Sequence, residues 1–347
     1  MELFKSSWRS PSNIALVKYW GKRPVQIPAN PSLSITLNKA YTEMSMDLFE
    51  KEKTNLISVD FSFEGKPQEK FRQKIENFLQ SISAEHPSLK NFHFKINSRN
   101  TFPHSTGIAS SASSMSALGL CLTDFLTEKG LIRKDKDSFL REASRLSRLA
   151  SGSACRSVYG EYVIWGKVRE MPESSDEYGV PVPFVIHESF RDIKDAILVV
   201  SSREKSVSSR AGHVLMETHP FASGRYELAR KNLSSLSNAL NTGDFDRFVE
   251  ITESEALGLH ALMMTSEPSY ILIEPNTVSI VNEIRRYRRE TRIPVCFTLD
   301  AGPNIHLLYP EEYESKVKNW IREELVKYCE NEFWIEDGIG KGPVKII

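Results

Sequence analysis

The sequence predicts an α+β protein of two domains, and three observations carry that prediction. Its 347 residues exceed what one small hydrophobic core organises, so two domains or one large one are expected. Segments with apolar residues at every second position are interleaved with segments at helical spacing. A stretch with prolines and acids, Arg169 to Glu188, then divides a mixed first half from a more helical second half.

Taken in order, Met44, Met46 and Leu48 alternate with polar residues. So do Ile57, Val59, Phe61 and Phe63, up to a turn near Gly65, and then Phe92, Phe94 and Ile96. These read as strands with one buried face. Between them, Phe71, Ile75, Phe78 and Leu79 have helical spacing. Phe102 to Ser116 is dense in Ser, Ala and Gly, and Ala112, Met115, Leu118, Leu122 and Phe125 carry it on as a helix. A second helix, around Phe139 to Ala150, runs into Ser151-Gly152-Ser153-Ala154, and Val158 to Val168 reads as a strand or hairpin. Pro172, Gly179, Pro181 and Pro183 mark the following stretch as a linker or an excursion. Ala196 to Val200 is a short apolar strand. Three helical stripes follow: Leu228, Leu233, Leu236 and Leu240; Phe245, Phe248, Leu259 and Leu262; Val278, Val281 and Ile284. Val295, Phe297 and Leu299 alternate up to Asp300. The expected division is 1–190 and 191–347, with the final residues as candidates to return to the first domain. No repeat of 20–50 residues is visible.

Lys plus Arg number 45 and Asp plus Glu also number 45. A zero net charge without a basic stripe argues against a nucleic-acid partner or an acidic membrane surface. Any phosphate binding must come from a few placed cations and from backbone dipoles. Cys121, Cys155, Cys296 and Cys329 are far apart and show no CxxC spacing, which argues against zinc and disulfides and favours a reducing compartment. Met1 to Ser12 lacks an apolar signal core, and no run approaches the ~18 apolar residues that span a bilayer. A cytoplasmic location with no membrane partner is expected.

Four stretches carry more functional groups than packing asks for. In Asn13 to Lys22, Lys18 and Lys22 would share a face on a helical turn, and two like charges there suit an anion. The plainer reading is a strand end with solvated lysines. Pro103 to Ala112, before a helix, offers close backbone approach and free N–H groups, the physics of a phosphate cradle. It is not a Walker A loop, since no Gly-Lys-Ser/Thr follows, and it also reads as a plain loop with an N-cap from Ser110 or Ser111. Ser151 to Ser157 surrounds Arg156 with small residues, leaving room for a carboxylate against its guanidinium fork; a surface salt bridge is the alternative. Asp300-Ala301-Gly302-Pro303-Asn304 places a carboxylate at a strand end, where catalytic groups are common, but its composition also makes a turn. Ser206 to Ser209 is a weaker fifth candidate.

Together, NIALVKYWGKR, PANPSLSITLN, FPHSTGIASSASS, SGSACRSVYGEYVIW, KSVSSRAGH and LDAGPN resemble the mevalonate diphosphate decarboxylase family of the GHMP kinase superfamily, in the family's order. The resemblance implies a two-domain GHMP kinase fold: an N-terminal domain like ribosomal protein S5 domain 2 and a C-terminal ferredoxin-like α/β sandwich. It implies ATP and Mg2+, a small-molecule substrate and a homodimer, and it leaves the metal ligands unassigned. The implied activity is ATP-dependent decarboxylation of mevalonate 5-diphosphate through phosphorylation of its 3-hydroxyl.

By the same resemblance, Asp300, Arg156 and Lys18 are the catalytic set. Asp300 would sit near the 3-hydroxyl, Arg156 on the substrate carboxylate and Lys18 near the transferring phosphate. Tyr19, Lys22, Ser153, Arg72 and Ser208 would bind substrate or its phosphates. Ser105, Gly107, Ala109, Ser110 and Ser111 would form the ATP phosphate loop. In that loop Ser105 and Thr106 stand near positions that are alanine in the common eukaryotic form. A relative acting on mevalonate 5-phosphate, or one that only phosphorylates, remains the alternative.

Overall fold

The computed structural model describes residues 2–52, 55–102, 110–203 and 206–347. Two long strands organise the first sheet: β1 (Glu2–Val17), and β4 (Ser32–Glu50) after the small hairpin β2 (Lys22–Arg23) and β3 (Ile27–Pro28). β5 (Ser58–Phe63), β6 (Lys66–Pro67), α1 (Glu69–Ile82) and β7 (Phe92–Asn100) follow, then α2 (Ser110–Glu128) and α3 (Lys136–Ala150). β8 (Tyr162–Trp165) and β9 (Gly179–Pro181) complete this half of the chain. β4 pairs with β1 along most of its length, with β8 at its start and with β7 at its end. β5 joins β7 in parallel, and all other pairings are antiparallel.

The alternating residues do what their period requires. Met46, Leu48, Phe94 and Ile96 are fully buried on one face, against Ile75 and Leu79 of α1 and Leu118, Leu122 and Phe125 of α2. The opposite face keeps charges, such as Glu43 between Arg9 and Arg99. α3 starts on the Asp135 N-cap, whose carboxylate accepts from the Ser138 amide at 2.8 Å. Arg169 to Glu188 is an excursion: its β9 returns to pair with β8, and Trp165 Nε1 donates to the Asp176 carbonyl at 2.9 Å.

A second, four-stranded antiparallel sheet has the order β11-β12-β10-β13: β10 (Ile193–Leu198), β11 (Cys296–Thr298), β12 (Ile305–Pro310) and β13 (Trp334–Gly338). Between β10 and β11 run α4 (Ser209–Leu215), α5 (Ala222–Thr242), α6 (Phe245–Met264) and α7 (Pro275–Thr291); α8 (Glu314–Trp320) follows β12. The turn between α5 and α6 is written locally. Gly243 takes φ +84° to end one helix, and Asp244 caps the next by accepting from the Arg247 amide at 3.0 Å. Two stripe assignments shift. Leu233, Leu236 and Leu240 are buried, but Leu228 is exposed because five residues turn a helix well off one face. In α7 the buried face is Ile280, Val281 and Ile284, and Val278 points outward.

The two sheets share an apolar layer. Ile14, Leu16, Leu33 and Ile35 of the first pack with Leu233, Leu236, Phe248 and Ile197 of the second unit. Asp337 of β13 crosses this boundary and accepts from the amides of Asn38, Lys39 and Ala40 at 2.7–2.8 Å. These residues lie where β4 leaves its ladder with β1, so their N–H groups need a partner. The chain ends with β14 (Val344–Lys345) paired to β1. Among the described residues no helix is long and apolar enough to cross a membrane.

Candidate active site

A cleft of about 380 Å³ opens between the two units, lined by the end of β1, the start of α2, the segment after α3, α4 and the loop after β11. Lys18 lies one residue beyond β1, outside the ladder. Its backbone is held from both sides: its N–H donates to Glu255 Oε2 at 2.8 Å, and its carbonyl accepts from Asn30 at 2.9 Å and Arg225 at 3.1 Å. Its side chain is buried, and Nζ meets Asp300 Oδ1 at 3.1 Å. Burial pulls the Lys18 pKa down, and the Asp300 carboxylate opposes that by favouring the charged form. Asp300 follows β11, and its carbonyl accepts from His260 Nε2 at 3.0 Å, so that nitrogen carries the proton.

Arg156 sits in a 3-10 segment, Gly152–Val158, directly after α3. Its guanidinium is buried and donates to Asn13 Oδ1 at 3.1 and 3.3 Å and to Ser32 Oγ at 2.6 Å. These acceptors are neutral, and burial pushes its pKa down. A buried guanidinium held by neutral oxygens is set to receive an anion.

Tyr19 is wedged between Trp165 and His213, with ring centroids at 4.6 and 4.4 Å. Its hydroxyl is buried with no hydrogen-bond partner among the described residues. Gly152 makes room for it: a Cβ there would meet the Trp165 ring at 2.9 Å and the Tyr19 hydroxyl at 3.0 Å. His213 Nδ1 accepts from the Gly21 amide at 3.0 Å, and burial holds the ring neutral, well below its usual pKa.

Farther along the cleft, Lys22 Nζ donates to Gln26 at 2.7 Å and Lys74 Nζ to Ser111 Oγ at 3.0 Å. Ser111 in turn meets Ser151 at 3.0 Å. Burial, helped by the Arg210 guanidinium, pushes both lysines down to about 8. Ser110, Ser153 and Ser208 also line the cleft, and Ser208 caps α4 by accepting from the Ala211 amide at 3.2 Å. Ser105, Gly107 and Ala109 lie outside the described residues.

Among the described residues, Lys18, Tyr19, Lys22, Ser110, Ser111, Ser153, Arg156, Ser208 and Asp300 thus gather, with two differences from expectation. Lys18 and Lys22 do not share a helical face; one follows a strand and is buried, the other starts a hairpin. Arg72 is not in the cleft. It pairs with Glu69 and Glu76 along α1, while Lys74, two residues on, lines the cleft. Two residues turn a helix by about 200°, so the neighbouring cation takes the opposite side. Sequence reasoning also missed Asn13, Ser32, Arg210 and Glu255. Asn13, Ser32 and Arg210 stand inside the quoted motifs; Lys74 and Glu255 carry no local signal.

Two family models match the chain in order. One describes a diphosphomevalonate decarboxylase-like N-terminal domain, over residues 10–176; the other a mevalonate 5-diphosphate decarboxylase C-terminal domain, over residues 196–337. The diphosphomevalonate decarboxylase of Ganoderma lucidum is 30% identical over 350 residues, covering 94% of this chain and 83% of that protein. Among solved structures, the mevalonate diphosphate decarboxylase of Enterococcus faecalis, described for its mevalonate diphosphate-mediated ATP binding, aligns with a TM-score of 0.82 at 27% identity. It covers 99% of this chain and 98% of its own. The MDDEF complex with MVAPP, AMPPCP and magnesium aligns with a TM-score of 0.84 at 29% identity, with the same coverage. The two-domain α+β GHMP kinase fold is shared with these structures. With both halves matched in order and the likeness to the Ganoderma protein running through nearly the whole length, this chain belongs to the diphosphomevalonate decarboxylase family.

Proposed function

We propose that this chain converts mevalonate 5-diphosphate and ATP to isopentenyl diphosphate, carbon dioxide, ADP and phosphate. The observation that carries the reading is the convergence of Lys18, Arg156 and Asp300, from distant segments, on one cleft of a chain in this family. The chemistry needs those three groups. A tertiary 3-hydroxyl is a poor nucleophile and a poor leaving group. Asp300, beside the cleft and paired with an ammonium, accepts or orients the hydroxyl proton. Lys18 offsets the charge of the transferring phosphate, because phosphoryl transfer depends chiefly on positioning and charge stabilisation. Arg156 holds the carboxylate that leaves as carbon dioxide.

Tyr19, Lys22 and Ser153 surround the 5-diphosphate in this reading, and Lys74 takes the place expected of Arg72. Ser105, Gly107, Ala109, Ser110 and Ser111 serve the ATP phosphates, with Ser208 beside them. ATP supplies the phosphoryl group that turns the 3-oxygen into a leaving group. The cleft fits such a ligand: Lys22, Lys74 and Arg210 face it, and Asp300 is the acid among its described lining residues. Among the described residues no cluster of three His, Cys, Asp or Glu could hold a metal by itself. One carboxylate with phosphate oxygens is a normal magnesium environment, so Asp300 suits Mg2+ in that mode. A homodimer in the cytoplasm completes the reading, and light scattering on the purified chain tests the dimer.

Lys22→Ala and Lys74→Ala are each expected to raise KM for the diphosphate about 10–100-fold, the worth of one charge-assisted hydrogen bond, with a smaller change in kcat. An unchanged KM in either variant removes that lysine from the binding set. The same lysines set a pH dependence. In the free cleft they are held near 8, so they are cations below that value and lose charge above it. KM for the diphosphate should therefore rise as pH passes from 8 towards 10. A KM flat across that range contradicts it.

The test of the function itself is a product assay with ATP and magnesium, comparing mevalonate 5-diphosphate with mevalonate 5-phosphate. Equal amounts of carbon dioxide, phosphate and isopentenyl diphosphate from the diphosphate support the reading. Turnover of the monophosphate alone, or ADP without carbon dioxide, overturns it.

A further inference from the structure

Glu255 is among the most buried acids of the chain, on α6, yet it belongs to the second unit and reaches the backbone of the first. Its carboxylate is saturated. Oε1 accepts from Arg225 at 2.8 Å and Asn232 at 2.6 Å; Oε2 accepts from Arg225 at 2.6 Å and from the Lys18 amide at 2.8 Å. Arg225 spends a further N–H on the Lys18 carbonyl at 3.1 Å. A buried ion pair is rarely a net source of stability; well-packed apolar residues of like volume often do as well. Here the pair has a second effect, because it fixes a peptide that has just left its strand and carries the buried Lys18 ammonium. Five residues along the same helix, His260 holds the carbonyl of Asp300. One rigid element thus grips both residues whose side chains meet at 3.1 Å.

We infer that α6 sets the separation of Lys18 and Asp300, with Glu255, locked by Arg225, and His260 acting as positioning residues for the reaction. Neither Glu255 nor His260 is among the residues that line the cleft; each acts through the peptide it holds. A displacement of about 1 Å in such a pair can cost about 10²-fold in rate. The inference rests on Lys18 and Asp300 being the reacting groups.

The experiment uses the full-length chain and four variants. Arg225→Met/Glu255→Leu removes both charges and keeps an apolar core. It should fold, by circular dichroism and thermal melting, yet lose at least about tenfold in kcat, with Kd for mevalonate diphosphate within about threefold of the parent. His260→Leu leaves the ion pair intact and should also lower kcat, while His260→Gln, whose amide can still donate, should recover most of it. A folded double variant with parental kcat, or affinity lost in step with rate, overturns the inference. If the double variant does not fold, the His260 pair decides: parental kcat in His260→Leu, or no recovery in His260→Gln, overturns it equally. Lys18→Met separates the two levels. If it stays active, the reading of Lys18 itself has failed; if it is inactive and the positioning variants are not, only this inference has.

Discussion

Asp300→Ala is expected to lower kcat by about 10²–10⁴-fold, the usual contribution of a positioned acid or base, while ATP and mevalonate diphosphate still bind. Two consequences of the geometry add up. The carboxylate that faces the cleft is gone, and no other acid among the described lining residues can take the hydroxyl proton. The Lys18 ammonium also loses the partner at 3.1 Å that offsets its burial. Its pKa then falls further, and less of it is charged when phosphate charge must be neutralised. Asp300→Asn keeps the shape and an oxygen for Lys18 but no negative charge, and should be nearly as inactive. Binding should be read by calorimetry and turnover by carbon dioxide release. A variant keeping more than about a tenth of parental activity loses less than removal of a general base normally costs, and would take that role from Asp300.

Arg156→Gln should lower kcat/KM for carbon dioxide release by about 10²-fold or more. Charge-assisted bonds are worth ~1.5–3 kcal/mol, or about 10–100-fold, each, and a carboxylate on a guanidinium fork receives two. The site is prepared for that anion, since Asn13 and Ser32 aim the guanidinium without neutralising it. Arg156→Lys should fare little better, because an ammonium keeps the charge and loses the planar fork. Kinetics that separate ADP formation from carbon dioxide formation are the sharper measurement. Loss at the decarboxylation step fits carboxylate placement; unchanged kcat and KM in Arg156→Gln would rule the role out.

Much of this was legible in the chain itself. Period-two alternation at Met46, Leu48, Phe94 and Ile96 marks strands because a sheet has two faces and only one meets the core. Gly243 and Asp244 are readable for a similar reason: helix ends are satisfied by residues next to them in sequence. The motif residues Lys18, Arg156 and Asp300 were legible because their neighbours form ordered short patterns. Arg72 was expected in the cleft and Lys74 is the cation found lining it, because spacing along a helix fixes the angle between side chains but not which side meets the cleft.

The sequence by itself determined the α+β composition and the placement of most strands and helices, which depend on near neighbours and on the apolar period; through the family resemblance of its motifs it also singled out Lys18, Arg156 and Asp300. Only the tertiary structure decided that Lys74 faces the cleft in place of Arg72, and that Asn13 and Ser32 aim Arg156. It also decided that Glu255, from a helix of the second unit, holds the peptide of Lys18. Each of these is a contact between segments remote in the chain. Such contacts leave no period and no local spacing, because they exist only once two separately written surfaces have packed together.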